Sequence, residues 1–161
     1  MKITKDDILE FKQLSNKRDD KIINQYIDDA EVIDLPDLMC SDLLNDYEND
    51  NLTELLWSGG KYDYQGKIYS HAGIKSVFVH YAYARYVYFG SQMDAMNGLS
   101  SFNRENSQTI SDKERQIMYT ANRQKAFRLW ETVLRYIERA NLYPNCYCTT
   151  SANNFKISKI V

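Results

Sequence analysis

What this chain has little of narrows its chemistry quickly. No apolar run approaches the ~20 residues that cross a bilayer. The opening MKITKDDILEF has neither the long apolar core nor the small-residue cleavage site of a signal peptide. Cysteine is sparse, with 3 residues, Cys40, Cys146 and Cys148. That odd count is far from a disulfide framework, so a reducing cytosol is the simplest compartment. Histidine is scarcer, with His71 and His80 alone. No HExxH, CxxC pair or clustered carboxylates surround either, and both read as surface or satisfied core residues. Cys146-x-Cys148 offers two thiolates with no further ligands at usual spacing. Gly59-Gly60-Lys61 lacks the glycine spacing, the following Ser or Thr and the preceding strand of a phosphate loop. No serine lies in GxSxG. The pairs Asp6/Asp7, Asp19/Asp20 and Asp28/Asp29 are adjacent residues, which do not share a helix face and make poor catalytic dyads. No catalytic residue, cofactor-binding residue or metal ligand is nominated, and the chain reads as a non-enzyme.

What is present is ordinary in bulk and uneven in arrangement. The 161 residues, 43% hydrophobic and 26% charged, suit one globular domain with a real core. The net charge of −2 conceals a split. Residues 1–63 carry 16 Asp and Glu against 7 Lys and Arg, whereas residues 64–161 carry 6 against 13. Such polarity suits two halves folded on each other, or one subunit meeting the opposite side of the next.

The periodicity is mostly helical. Thr4 caps a short helix through Gln13, with Ile8, Leu9 and Phe11 apolar, and Ser15 to Asp20 forms a break. Ile22, Ile23, Tyr26, Ile27, Ala30 and Ile33 recur at three and four, predicting a helix over 20–34. Pro36 stops it or opens the next one. Leu38 to Asp46 and Leu52 to Trp57 form shorter helices, the second closed by Gly59-Gly60. Tyr62 and Tyr64 alternate with polar residues before Gln65-Gly66 and Ile68, which predicts a β-hairpin over about 61–70. Ile74 to Gly90, containing HYAYARYVYFG, is apolar on several faces and reads as a central helix with more than one neighbour. Phe78, Tyr81 and Tyr88 are expected to pack within the chain, Tyr83 and Tyr86 to offer a second contact, and Arg85 to pair with an acid of the first half. Residues 97–110 read as a long polar loop. Ser111 and Glu114 form a capping box for a helix to about Asn141. Its inner face is Phe127, Trp130, Val133/Leu134, Ile137 and Ala140, and its outer face is basic. After Pro144 the tail NCYCTTSANNFKISKIV has no helical period, and its end alternates like a strand seeking a partner. The fold expected is mainly α: a small helical bundle at 1–143 with a hairpin insertion, and an extended C-terminal arm at 144–161.

Basic residues interleaved with tyrosines also suit a nucleic-acid groove. Residues 76–90 nevertheless hold one cation, Arg85. Non-enzymatic nucleic-acid binding through the basic last helix is therefore the alternative reading.

The ordered pattern resembles a known group. ITKDDILEF, INQYIDDAEVIDL, LMCSDLLNDY, ELLWSGGKYDYQGKIYSHAGIKSVFVHYAYARYVYFG and SDKERQIMYTANRQKAFRLWETVLRYIERANLYPNCY follow in the order seen in head–tail connector (adaptor) proteins of tailed phages. They resemble above all the branch from phages of gut Bacteroidetes, including crAss-like phages. The resemblance covers about residues 3–147 and does not extend to the tail. It implies a small helical virion subunit of the neck, assembled in the host cytoplasm into a ring, commonly twelvefold. That ring lies beneath the portal, extends the DNA channel without sequence-specific binding, and docks a tail or further neck protein. It implies no cofactor, no catalysis and no membrane. The interface candidates are Tyr62, Tyr64, Tyr83, Tyr86, Phe102, Arg104, Arg128, Arg135, Arg139, Phe155 and Ile157. Ring closure is expected between acids of the first half and Arg128, Arg135 and Arg139.

Overall fold

The computed structural model describes residues 2–12, 20–90, 92–95, 98–101 and 111–144, the two short segments after Gly90 as backbone only. The fold is mainly helical with a hairpin insertion, as expected. In chain order it runs α1 (Lys5–Phe11), α2 (Asp20–Asp29), a π-helical turn (Ala30–Asp34), α3 (Leu35–Leu38), α4 (Ser41–Glu48) and α5 (Glu54–Ser58). Then come β1 (Gly60–Tyr64), β2 (Lys67–His71), α6 (Gly73–Phe89), β3 (Gln92–Ala95), β4 (Gly98–Ser101) and α7 (Asp112–Arg139).

The capping box expected at Ser111 forms, and Thr4 makes a second one. The Thr4 hydroxyl accepts from Asp7 N at 3.4 Å, while Asp7 Oδ2 accepts from Thr4 N at 2.7 Å. Ser111 and Glu114 repeat the exchange at the start of α7, at 3.3 and 2.8 Å. Each box satisfies donors that the first helical turn leaves unpaired.

α6 is the axis of the molecule. Residues Ser76 to Ala82 are all buried, on every face of the helix. α7 lies along one side of it, and α1, α2, the π turn and α5 cover the others. Trp130, Val133, Leu134 and Ile137 of α7 are buried with Ile74, Val77, Phe78 and Tyr81 of α6 in one core. Burial pushes the Tyr81 phenol up to about 12. Ala140, expected inside, is exposed, because α7 has ended at Arg139. Pro36 takes the option of opening the next helix, in the first turn of α3.

A regular helix after Ile23, Ile27 and Ala30 places position 33 or 34 on the inner face. Of the two, Asp34 lies inside together with Leu35, and Ile33 is 50% exposed beside Val32 at 73%. Ile33 is therefore not the core residue that its spacing predicts. The region read as a loop from 97 also contains strand: β3 and β4 pair antiparallel, with Gln92 opposite Ser101 and Ala95 opposite Gly98. Cys40, at the start of α4, is disulfide-bonded.

β1 and β2 pair with Gly60 opposite His71, Tyr62 opposite Tyr69 and Tyr64 opposite Lys67. Gln65 and Gly66 turn the chain with positive φ at both, the geometry that matches strand twist. At the base, Gly59 and Gly73 lie backbone to backbone at φ +80 and +75. A Cβ on Gly73 would stand 2.3 Å from Gly59 N, so only glycine lets the hairpin's two ends approach this closely.

Candidate functional site

The hairpin folds one face onto the C-terminal part of α7. Alternation puts Tyr62, Tyr64, Tyr69 and His71 on that face, and Lys61, Asp63, Ile68 and Ser70 on the other. The His71 ring stacks on Tyr136 at 4.2 Å with 5° between planes, and Tyr62 meets Tyr136 edge-on at 4.9 Å. Arg139 lies 3.9 Å from the Tyr69 ring centroid and 5.3 Å from that of Tyr64, and it donates to Tyr62 Oη at 3.0 Å. These are edge, stacked and cation–π contacts of the kinds that favour aromatic pairs beyond their buried area. Ala72 N donates to Thr132 Oγ1 at 3.2 Å and ties down the hairpin's end. His71 is buried, and neither ring nitrogen has a hydrogen-bond partner. Burial lowers its pKa and keeps the ring neutral. On the outward face of the hairpin, Ile68 is 74% exposed.

A second centre joins the halves of the chain. Asp34, buried at the end of the π turn, accepts from Arg85 Nε of α6 at 2.7 Å and from an Arg123 terminal nitrogen of α7 at 2.7 Å. Arg123 also lies over the rings of Tyr81 at 4.9 Å and Tyr119 at 5.4 Å. The expected pairing of Arg85 with an acid of the first half is thus present. Lys75 of α6 likewise reaches Asp7 at 2.5 Å and Glu10 at 3.6 Å. Part of the charge complementarity in the sequence is therefore used within the chain.

The sequence-nominated residues fall into three groups. Tyr62, Tyr64 and Arg139 meet in the hairpin cluster and hold one another. Tyr83 and Tyr86 are half-buried against their own chain: Lys12 lies 4.9 Å above the Tyr83 ring, and Tyr26 meets Tyr86 edge-on at 6.3 Å. Arg128 and Arg135 are exposed on α7. Phe102, Arg104, Phe155 and Ile157, with the arm at 145–161, lie outside the described residues. Sequence reasoning did not nominate Asp34, Arg123, His71, Tyr69 or Tyr136. A signal existed for Asp34, an acid at i+4 from Ala30 on the apolar stripe of α2. For Tyr136 the signal was its place beside Val133 and Ile137. His71 and Tyr69 stand on the same strand face as Tyr62 and follow from the hairpin register.

A family model spans residues 35–156, from α3 through the hairpin, α6 and α7 into the tail. The chain belongs to the family of unknown function DUF6712. The matched span holds both halves of the hairpin–α7 cluster, as well as Arg85 and Arg123, and it begins one residue after Asp34. No curated protein and no solved structure matches the chain. Among the described residues no helix is long and apolar enough to cross a membrane, and no His, Cys, Asp and Glu group could hold a metal ion.

Proposed function

We propose that this chain is a structural protein of a tailed-phage virion: a head–tail connector whose subunits form a ring below the portal. In this reading the ring extends the DNA channel, passes DNA without reading it, and docks the next neck or tail component. The subunit takes no cofactor and catalyses nothing. The residues from 144 onward serve as an arm toward a neighbour or the portal. The proposal rests on the ordered sequence pattern, and the observation that carries it is where surface is left uncommitted. The hairpin is stapled at its base and along one face, yet it presents an exposed apolar residue, Ile68, outward. Arg128 and Arg135 are exposed, while Lys75, Arg85 and Arg123 nearer the core are paired with carboxylates. A rigid projecting element with an open face suits contact with another subunit. The disulfide at Cys40 suits a particle that ends outside the cell.

DNA binding along the basic last helix draws less support. Glu131 and Glu138 are exposed within three or four positions of Arg128 and Arg135, so this end of α7 carries both signs. A mixed face suits a protein partner better than a row of phosphates.

Electron microscopy of the purified chain, alone and with a portal, tests the class directly. Rings are expected, and a monodisperse monomer under all conditions, with no binding to portal, rejects the proposal. Arg139 stabilises the hairpin, so charge reversal belongs at the two exposed positions. Arg128→Glu with Arg135→Glu should block ring closure and leave helicity unchanged, and normal rings from that variant would move the interface elsewhere.

A further inference from the structure

Lys12 differs from the other half-buried lysines. Lys5 and Lys75 each hold a carboxylate, at 2.6 and 2.5 Å. Lys12, at the C-terminal cap of α1, has neutral neighbours instead: Asn122 Oδ1 at 2.8 Å and the face of Tyr83 at 4.9 Å. Asn122 is fixed in turn by donating to Met118 O at 2.8 Å. Lys125 stands one helical turn beyond Asn122 on the same face of α7, exposed. From Arg115 to Trp130, α7 carries no acidic residue. Burial, and then the charge of Lys125, lower the Lys12 pKa. Within reach of the charge of both lysines is His80 of α6, buried against Phe11, with Nδ1 at 2.8 Å from Ser76 O and Nε2 without a partner. Two ammonium groups in repulsion, one of them partly desolvated, gain from any anion placed between them.

We propose that Lys12 and Lys125 form a site for one phosphate-type oxyanion at the junction of α1, α6 and α7. The ammonium groups bind it from two helices, and the Asn122 contact and the Tyr83 face hold the Lys12 stem in place. A phosphodiester of a nucleic-acid strand and free inorganic phosphate share this chemistry. The site does not depend on the connector reading.

His80 supplies the readout. The two lysines act on its ring by charge, so a bound anion should raise its pKa, while His71 on the hairpin is unaffected. The full-length chain is titrated at low salt with inorganic phosphate, and separately with short duplex DNA. The ring C–H proton signals of the two histidines are followed by NMR across the acid range. A saturable shift at His80 with phosphate identifies the free ion, and a shift with duplex alone identifies backbone phosphate. No shift with either overturns the site. Lys125→Gln removes an exposed charge without touching the core, and Lys12→Met keeps the apolar stem over Tyr83. Each should weaken binding by about tenfold or more. Unchanged affinity in both variants overturns the proposal.

Discussion

Replacing Asp34 by alanine removes the carboxylate that Arg85 and Arg123 share, at a point where both arginine side chains are only 12% exposed. The pair is held by three elements, so neither arginine can swing to solvent without disturbing α6 or α7. Breaking a buried pair from one side costs about 3–5 kcal/mol, mostly the penalty of leaving charge uncompensated. Domains have about 5–15 kcal/mol to lose. For a chain of this length each kcal/mol lowers Tm by about 2–4 °C, so a fall of roughly 6–20 °C is expected. Urea denaturation followed by far-UV circular dichroism measures the loss, with an unchanged slope showing that stability alone has moved. Asp34→Asn keeps the shape and one acceptor and should fall between wild type and alanine. Asp34→Leu with Arg85→Met and Arg123→Met replaces the whole centre by apolar groups and should recover much of the loss. Asp28→Ala, on the exposed face of α2, is the control and should stay within about 0.5 kcal/mol. If Asp34→Ala costs less than about 1 kcal/mol, the centre is solvated and does not join the halves of the chain.

The histidines predict acid sensitivity. Burial holds His80 at about 4, below its ordinary 6.5, so the folded chain binds fewer protons than the unfolded chain between these values. Stability is then complete above about 6.5 and declines as pH falls toward 4, by on the order of 3 kcal/mol from His80. His71 acts in the same direction. Melting curves across that window should show the decline, and His80→Leu should flatten it; an equally steep decline in that variant would assign it to other groups. Arg139→Leu removes the Tyr62 hydrogen bond and the cation held over Tyr69, at a cost of about 1–2 kcal/mol. Amide exchange should then accelerate in β1 and β2 but not in α6, and uniform acceleration would mean that the cluster supports the whole fold.

Most of the helical frame was legible because apolar spacing reports it directly. α6 betrayed its central place by being apolar on every side, and α7 by Ser111 and Glu114 at one end and a 3.5-residue repeat of large side chains. The hairpin was legible from alternating tyrosines and Gln65-Gly66, and its inward face followed. What failed were local departures from regular periodicity. After Ala30 the spacing admits 33 or 34 on the inner face, and the apolar Ile33 was the natural choice, yet Asp34 is buried and Ile33 half exposed. The β3–β4 pair has too little apolar alternation to announce itself beside the polar residues that follow. The Cys40 disulfide is a spatial fact that a count of three cysteines cannot convey.

The charge split shows why the fold became clearer than the site. In the sequence it permits either an intrachain or an intersubunit match. Folding consumes part of it: Asp34 takes Arg85 and Arg123, and Asp7 and Glu10 take Lys75. What is left outside is not a simple acid-against-base pair. Asp28, Asp42 and Glu48 remain exposed on the first half. The exposed cations of α7 divide into Arg128 and Arg135, interleaved with glutamates, and Lys125 within an acid-free stretch beside Lys12. The first set suits complementary protein, where charges of both signs fix orientation. The second suits a single compact anion, which needs positive potential concentrated at one point. Charge reversal at Arg128 and Arg135 should therefore affect assembly without changing phosphate binding, and Lys125→Gln should do the reverse. Loss of both functions in either variant would mean that α7 presents one undivided surface.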